Sequence, residues 1–153
     1  MAGLIATLNT AEQTLSTATT KTLIQLISPA NHRVKILAWG ISFSGVSGTA
    51  EPVVCELVQQ STAGTMSALT PVKQNVGDPE TPLSTAQQNA GPAGEPGYVN
   101  SIARVEVHPQ GGFQETFPFG QEVLLGGSSS VRVGLRATAP AGVDCIPFIR
   151  FEE

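Results

Sequence analysis

The sequence predicts an all-β chain, an antiparallel β-sandwich or jelly-roll of about eight strands in a single domain over residues 1–153, with one long loop excursion at 61–97. Three observations predict it. Apolar side chains recur with a period of two, as they do when one face of a strand is buried and the other is wet. The 153 residues include 16 Gly, 11 Pro and 27 Ser and Thr, a mixture that disfavours helices and suits strands joined by turns. Only 13% of residues are charged, about half the usual level, and those turn and strand residues stand in their place.

Residues 1–20 are rich in Thr and form an N-terminal arm or edge strand, with a strand expected at Glu12–Thr17. Thr7, Asn9 and Thr10 lie in its first half, where short polar side chains leave the backbone free to add to a neighbouring sheet. Further strands are expected at Thr20–Ile27 and Val34–Phe43. The second is apolar on both faces: Leu37, Trp39, Ile41 and Phe43 share one, and Val34, Ile36 and Ala38 share the other. Val53, Cys55 and Leu57 then make an inward face, with Glu56 opposite.

From 61 to 97 the chain turns to Thr, Pro, Gln, Asn, Ala and Gly and loses its large apolar side chains. A short helix at Thr81–Gln88 is the one element expected there, with Thr81 as cap and Pro82 at the first helical position. Alternation resumes at Ser101–His108, where Ala103, Val105 and Val107 face in and Arg104, Glu106 and His108 face out. Phe113–Phe117 follows after a Pro-Gln-Gly-Gly turn. Val131–Ala137 alternates strictly, with both arginines on one face. The last strand, Val143–Phe151, is again apolar on both sides, because Ile146 and Phe148 oppose Val143, Cys145, Ile149 and Phe151. A strand apolar on both faces is either central in a covered sheet or lies against a neighbouring subunit. For a short chain with so little charge, the subunit contact is the expectation for at least one of the two strands.

Several function classes are disfavoured. A net charge of −4 gives no general basic footprint for nucleic acid and no polybasic cluster for an anionic membrane. No apolar stretch approaches the ~20 residues of a membrane span, and the N-terminus lacks the basic region of a targeting signal. Cys55 and Cys145 sit in apolar runs and read as buried free thiols of a protein made in a reducing cytoplasm. No phosphate loop, dinucleotide fingerprint, nucleophile elbow or HExxH motif is present, so no cofactor is expected. His108 with Glu106 and Glu115 is the one acid–base or metal-binding candidate, and turn chemistry around Pro109–Gly112 explains it as well. His32 stands in another turn. A cupin-like metalloenzyme needs two or three histidines on facing strands, and these two are all there are, so the chain is not expected to be an enzyme. Arg33, Lys35, Arg132, Arg136 and Arg150 read as solvated strand faces rather than a positive patch.

Three segments together carry a resemblance. They are Arg33 through Ser47, then Val105 through Phe113 leading to Phe117-Pro118-Phe119-Gly120, and the ending from Arg136 to Glu153. This pattern resembles the small head decoration (capsid cement) proteins of tailed bacteriophages. The resemblance implies a homo-oligomer, a trimer in particular, that binds the major capsid protein on the capsid exterior and clamps the shell. Trp39, Ile146 and Phe148 are then expected at subunit contacts, and Thr7, Asn9 and Thr10 at the capsid. The alternative is a receptor- or glycan-binding module of a phage head or tail fibre, with 61–97 as its contact surface.

Overall fold

The computed structural model describes residues 3–44 and 51–153. Gly45, Val46 and Ser47 of the first resembling segment lie outside the described residues, as do Met1 and Ala2 of the expected arm. Two antiparallel sheets pack face to face as a β-sandwich. The strands are β1 (Ile5–Asn9), β2 (Gln13–Leu15), β3 (Thr20–Ile27), β4 (Val34–Phe43), β5 (Val53–Gln60), β6 (Ser67–Leu69) and β7 (Val72–Lys73). They continue with β8 (Thr85–Gln88), β9 (Tyr98–Val107), β10 (Gly112–Thr116), β11 (Val123–Leu125), β12 (Arg132–Thr138) and β13 (Val143–Glu152). The first sheet runs β10-β4-β13-β1-β7, with β11 beside β4 and β2 beside β13. The second runs β6-β8-β3-β12-β5-β9.

The additional strands β1, β6, β7, β8 and β11 are two to five residues long, too short to set a clear apolar period. Inside the 61–97 excursion β6, β7 and β8 are extended, and the helix expected at Thr81–Gln88 is instead loop followed by β8. The physical reason is a competition of backbone partners. A lone helix of so few residues cannot recover its nucleation cost. The edge of β3 offers a ready ladder, and β8 takes it from Ile24↔Gln88 to Ile27↔Thr85. Just upstream, the Glu153 carboxylate accepts hydrogen bonds from the Ser84 N–H and hydroxyl, holding that segment extended.

The core lies between the sheets. β13 contributes Cys145, Ile149 and Phe151, β1 contributes Ala6 and Leu8, and β12 contributes Val133, Leu135 and Ala137. β4 departs from the strict alternation read from its sequence. Opposite β13, the register shifts between Arg150↔Ala38 and Phe151↔Ile36, which leaves Leu37 as an extra residue. A β-bulge of this kind moves the side-chain phase by one. Val34 and Ile36 before it, and Trp39 and Ile41 after it, therefore all reach the same core. The strand's two apolar faces are largely one face with a slip in the middle. Trp39 is wholly buried within the chain, so it cannot supply surface to a subunit contact, and that expectation is corrected.

The first twenty residues are not a free arm where they are described. β1 is paired on both sides, along its length with β13 and at Ala6 and Thr7 with β7. Its alternation of buried Leu4, Ala6 and Leu8 fixes it in the sheet.

Candidate interaction surface

The outer face of the first sheet is built by the same alternation. On β13 Ile146, Phe148 and Arg150 point away from the core, and the register sets them beside Ser42, Gly40 and Ala38 of β4. Across the other edge, Asn9 and Thr7 of β1 stand next to Phe148 and Arg150. Glycine at 40 has a specific consequence. A Cβ there would come within 2.5 Å of the Phe148 ring and 2.6 Å of the Phe113 carbonyl oxygen. The ring therefore lies across β4 at a position without a side chain. Around it opens a shallow depression of about 350 Å³, lined by Phe148, Ile146, Phe113, Ile41, Asn9 and Gln114. Its floor is aromatic and aliphatic, its rim carries neutral amides, and Ile146 is 44% exposed.

At one end of this sheet, the connection from β10 to β11 presents a second feature. Gln121 N–H donates to the Pro118 carbonyl at 2.9 Å, and Gly120 has φ +85°. These are the marks of a type II turn with glycine at its third position. The Glu122 carboxylate accepts from the Gly120 N–H at 2.8 Å and braces the turn. Phe119 occupies the second position and is 96% exposed. A large aromatic held in water on a fixed turn is a costly arrangement for a free surface.

The expected contact residues divide. Ile146 and Phe148 do share an outer face, with Asn9 exposed and Thr7 half-buried beside them. Thr10 is 9% exposed and donates its hydroxyl to the Ala11 carbonyl, so it offers little to a partner. Trp39 serves the interior: its indole N–H donates to the Glu115 carboxylate at 2.8 Å, and its ring packs on Phe113 with centroids 5.0 Å apart. Glu115 is thereby occupied. His108 follows β9 and accepts the Gln110 N–H on Nδ1 while its carbonyl accepts from Gly111. The structure thus gives His108 and Glu115 separate tasks, and no metal-binding group of three His, Cys, Asp or Glu forms among the described residues. The cationic side chains also scatter. Lys35 pairs with Glu152 on one sheet, while Arg136 pairs with Glu56 on the other.

Both cysteines are free and buried in the core. Burial, reinforced by the neighbouring Cys145 and Glu56, pushes the Cys55 thiol up to about 12. Burial likewise pushes Cys145 up to about 12, against a smaller lowering by Lys21. Neither thiol is a nucleophile at neutral pH.

The second sheet's outer face is clad by the chain itself. Gln25, fully buried, donates to the Gln60 side-chain oxygen at 2.7 Å and to the Thr62 carbonyl at 3.1 Å. Gln60 in turn donates to the Thr22 hydroxyl at 3.0 Å. From the far end of the excursion the Glu95 carboxylate accepts from the Thr22 N–H at 2.8 Å and from its hydroxyl at 2.7 Å. Segment 61–97 is therefore strapped down at its ends. Beside this layer Glu56, 5% exposed, takes a two-point contact from Arg136, whose guanidinium lies 4.1 Å from the centre of the Tyr98 ring.

No protein-family model matches the chain, and no curated protein is found similar to it. Sequence reasoning passed over Phe119, although the Phe-Pro-Phe-Gly string carries a signal: its glycine is the residue a type II turn asks for at the third position. Gly40 carried a signal too, since glycine inside a strand marks a close approach. Glu95 had none, because its partner Thr22 lies 73 residues away.

Proposed function

We propose that the protein is a structural virion component that decorates and stabilises a bacteriophage capsid, binding the major capsid protein on the shell's exterior as a homo-oligomer, a trimer in particular. The reading starts from the resemblance in the three segments described above. The observation that supports it further is a group of exposed large apolar side chains on the first sheet, in addition to those on β9 and in the 61–97 segment. Phe119 is 96% exposed, Leu124 and Val72 each 60%, and Ile146 44%. Val72, Leu124 and Ile146 belong to the first sheet, and Phe119 stands on the turn between two of its strands. Such side chains lose free energy in water and regain it against a partner. A cement protein needs that kind of surface and no reaction chemistry.

The test is a binding measurement on capsids that lack the protein. Light scattering of the purified chain should give a mass of several 15.9 kDa subunits. Added to such capsids it should bind to saturation and raise their resistance to heat. A monomer that ignores capsids overturns the proposal.

A further inference from the structure

We infer that the chain associates with copies of itself head to tail, the Phe119 turn of one copy seated in the Phe148 depression of the next. The two surfaces are different parts of the same chain, and Phe119 is not seated in its own copy, being 96% exposed. Size permits the fit. A cavity of ~150 Å³ lined by Leu, Ile and Phe takes up benzene, and the depression here is about 350 Å³. That leaves room for one ring and the turn that bears it. The chemistry agrees as well, because Phe148 and the half-exposed Ile146 offer a ring face and methyl groups to an aromatic.

Charge agrees too. Glu122 braces the turn two residues beyond Gly120, so a carboxylate travels with Phe119. Arg150 lies two residues after Phe148 on the same outer face, so the host patch carries a cation where the bearer carries a carboxylate. Bearer and host thus carry charges of opposite sign, a complementarity that favours their pairing. An interface between two different patches of one chain is heterologous, and it closes into a ring if the rotation permits. One phenylalanine contributes of order 200 Å², a fraction of the ~800 Å² per partner found in stable interfaces. A single junction is accordingly weak. A ring, in which every subunit makes two junctions, is the stable product.

The inference rests on the self-association half of the proposed function, and its failure is separable from the failure of that reading. Light scattering comes first on the wild type, then on Phe119→Ser and Ile146→Asp. Each variant should fall to the mass of one chain with unchanged circular dichroism and a melting temperature that no longer depends on concentration, since Phe119 stands in water and Ile146 is half-exposed in the isolated subunit. A benzophenone amino acid in place of Phe119, irradiated in the assembled protein, should cross-link to the peptide carrying residues 146–148 of another copy. A wild-type monomer overturns both this inference and the self-association on which it rests. A wild-type oligomer that Phe119→Ser leaves intact, or a cross-link that maps elsewhere, overturns the knob-and-depression contact alone.

Discussion

Replacing Glu95 by alanine should release the strap over the second sheet. The carboxylate receives two donors from Thr22, the N–H at 2.8 Å and the hydroxyl at 2.7 Å. Thr22 is fully buried, so truncation leaves its N–H without the partner that folding has committed to it. Hydrogen bonds to a charged group contribute roughly 1.5–3 kcal/mol each, and a stranded buried donor costs a similar amount. Glu95 itself is half-exposed, and the loosened strap would admit water to Thr22, so the lower part of that range applies. The two bonds together then cost about 3 kcal/mol. For a domain of this size that corresponds to a fall in Tm of roughly 6–12 °C. Urea unfolding gives the free energy. Trypsin gives the location, because Lys73 lies inside the strapped segment with its ammonium donating to the Asp78 and Glu80 carbonyls. Glu95→Ala should speed cleavage at Lys73 well before global unfolding. Thr22→Val, which removes only the hydroxyl, should cost less, and the pair combined should cost less than the sum. An alanine variant with native stability and native protease resistance would refute the reasoning, since the carboxylate would then be ornamental.

Three further outcomes are expected. The two buried thiols ionise in the unfolded chain near 9 but only near 12 when folded, so between those values the unfolded state holds fewer protons and stability falls as pH rises, by about 3 kcal/mol per pH unit for both together; urea titrations at pH 8 to 10.5 should show the slope, and the Cys55→Ala/Cys145→Ala chain should lack it. Gly40→Ala puts a methyl group against a backbone oxygen as well as the Phe148 ring, so it should cost about 1–3 kcal/mol in chemical denaturation; a neutral effect would mean that the ring does not lie where described. Trp39 is the only tryptophan and is fully buried, so its emission should be blue-shifted and resist quenching by iodide; Trp39→Phe should cost about 1–3 kcal/mol by leaving the Glu115 carboxylate without its donor.

The strands that carried large apolar side chains at a period of two were legible in the sequence, and the reason is physical. Val131–Ala137 and Val143–Phe151 each bury one face, and a one-residue slip would expose it, so pattern and structure must agree. The same logic explains where legibility stopped. β4 contains a phase slip at Leu37 that a strict alternation cannot express, and reading through it assigned Trp39 and Ile36 to opposite faces when both reach the core. A bulge is set by what the neighbouring strand needs, here the passage from Phe151 to Arg150, and that information lies more than a hundred residues away. β6, β7 and β8 were illegible for a related reason. They are held by backbone ladders and by Glu153 and Glu95, whose partners are distant in sequence and carry no local signature.

The two outer faces differ in a way that bears on where a partner would sit. The second sheet's exterior is occupied by its own strap, with Gln25, Gln60 and Thr22 sealed beneath it and fully or nearly fully buried. A partner docking there would first have to displace hydrogen bonds already made, at the full cost of stranding buried amides. Its edge strand β9 shows Tyr98, Val99 and Ile102 to solvent, but register shifts at Leu57/Val58 and Gln59/Gln60 distort that part of the edge. Irregularities of this kind blunt strand addition. The first sheet has no such cover over Ile146 and Phe148 among the described residues, and its pairing there is regular. A partner meets only water to displace, over apolar side chains that favour losing it. The chain thus shields one face with its own polar layer and leaves the other to be covered from outside, which is why Ile146→Asp is the substitution that should separate association from folding.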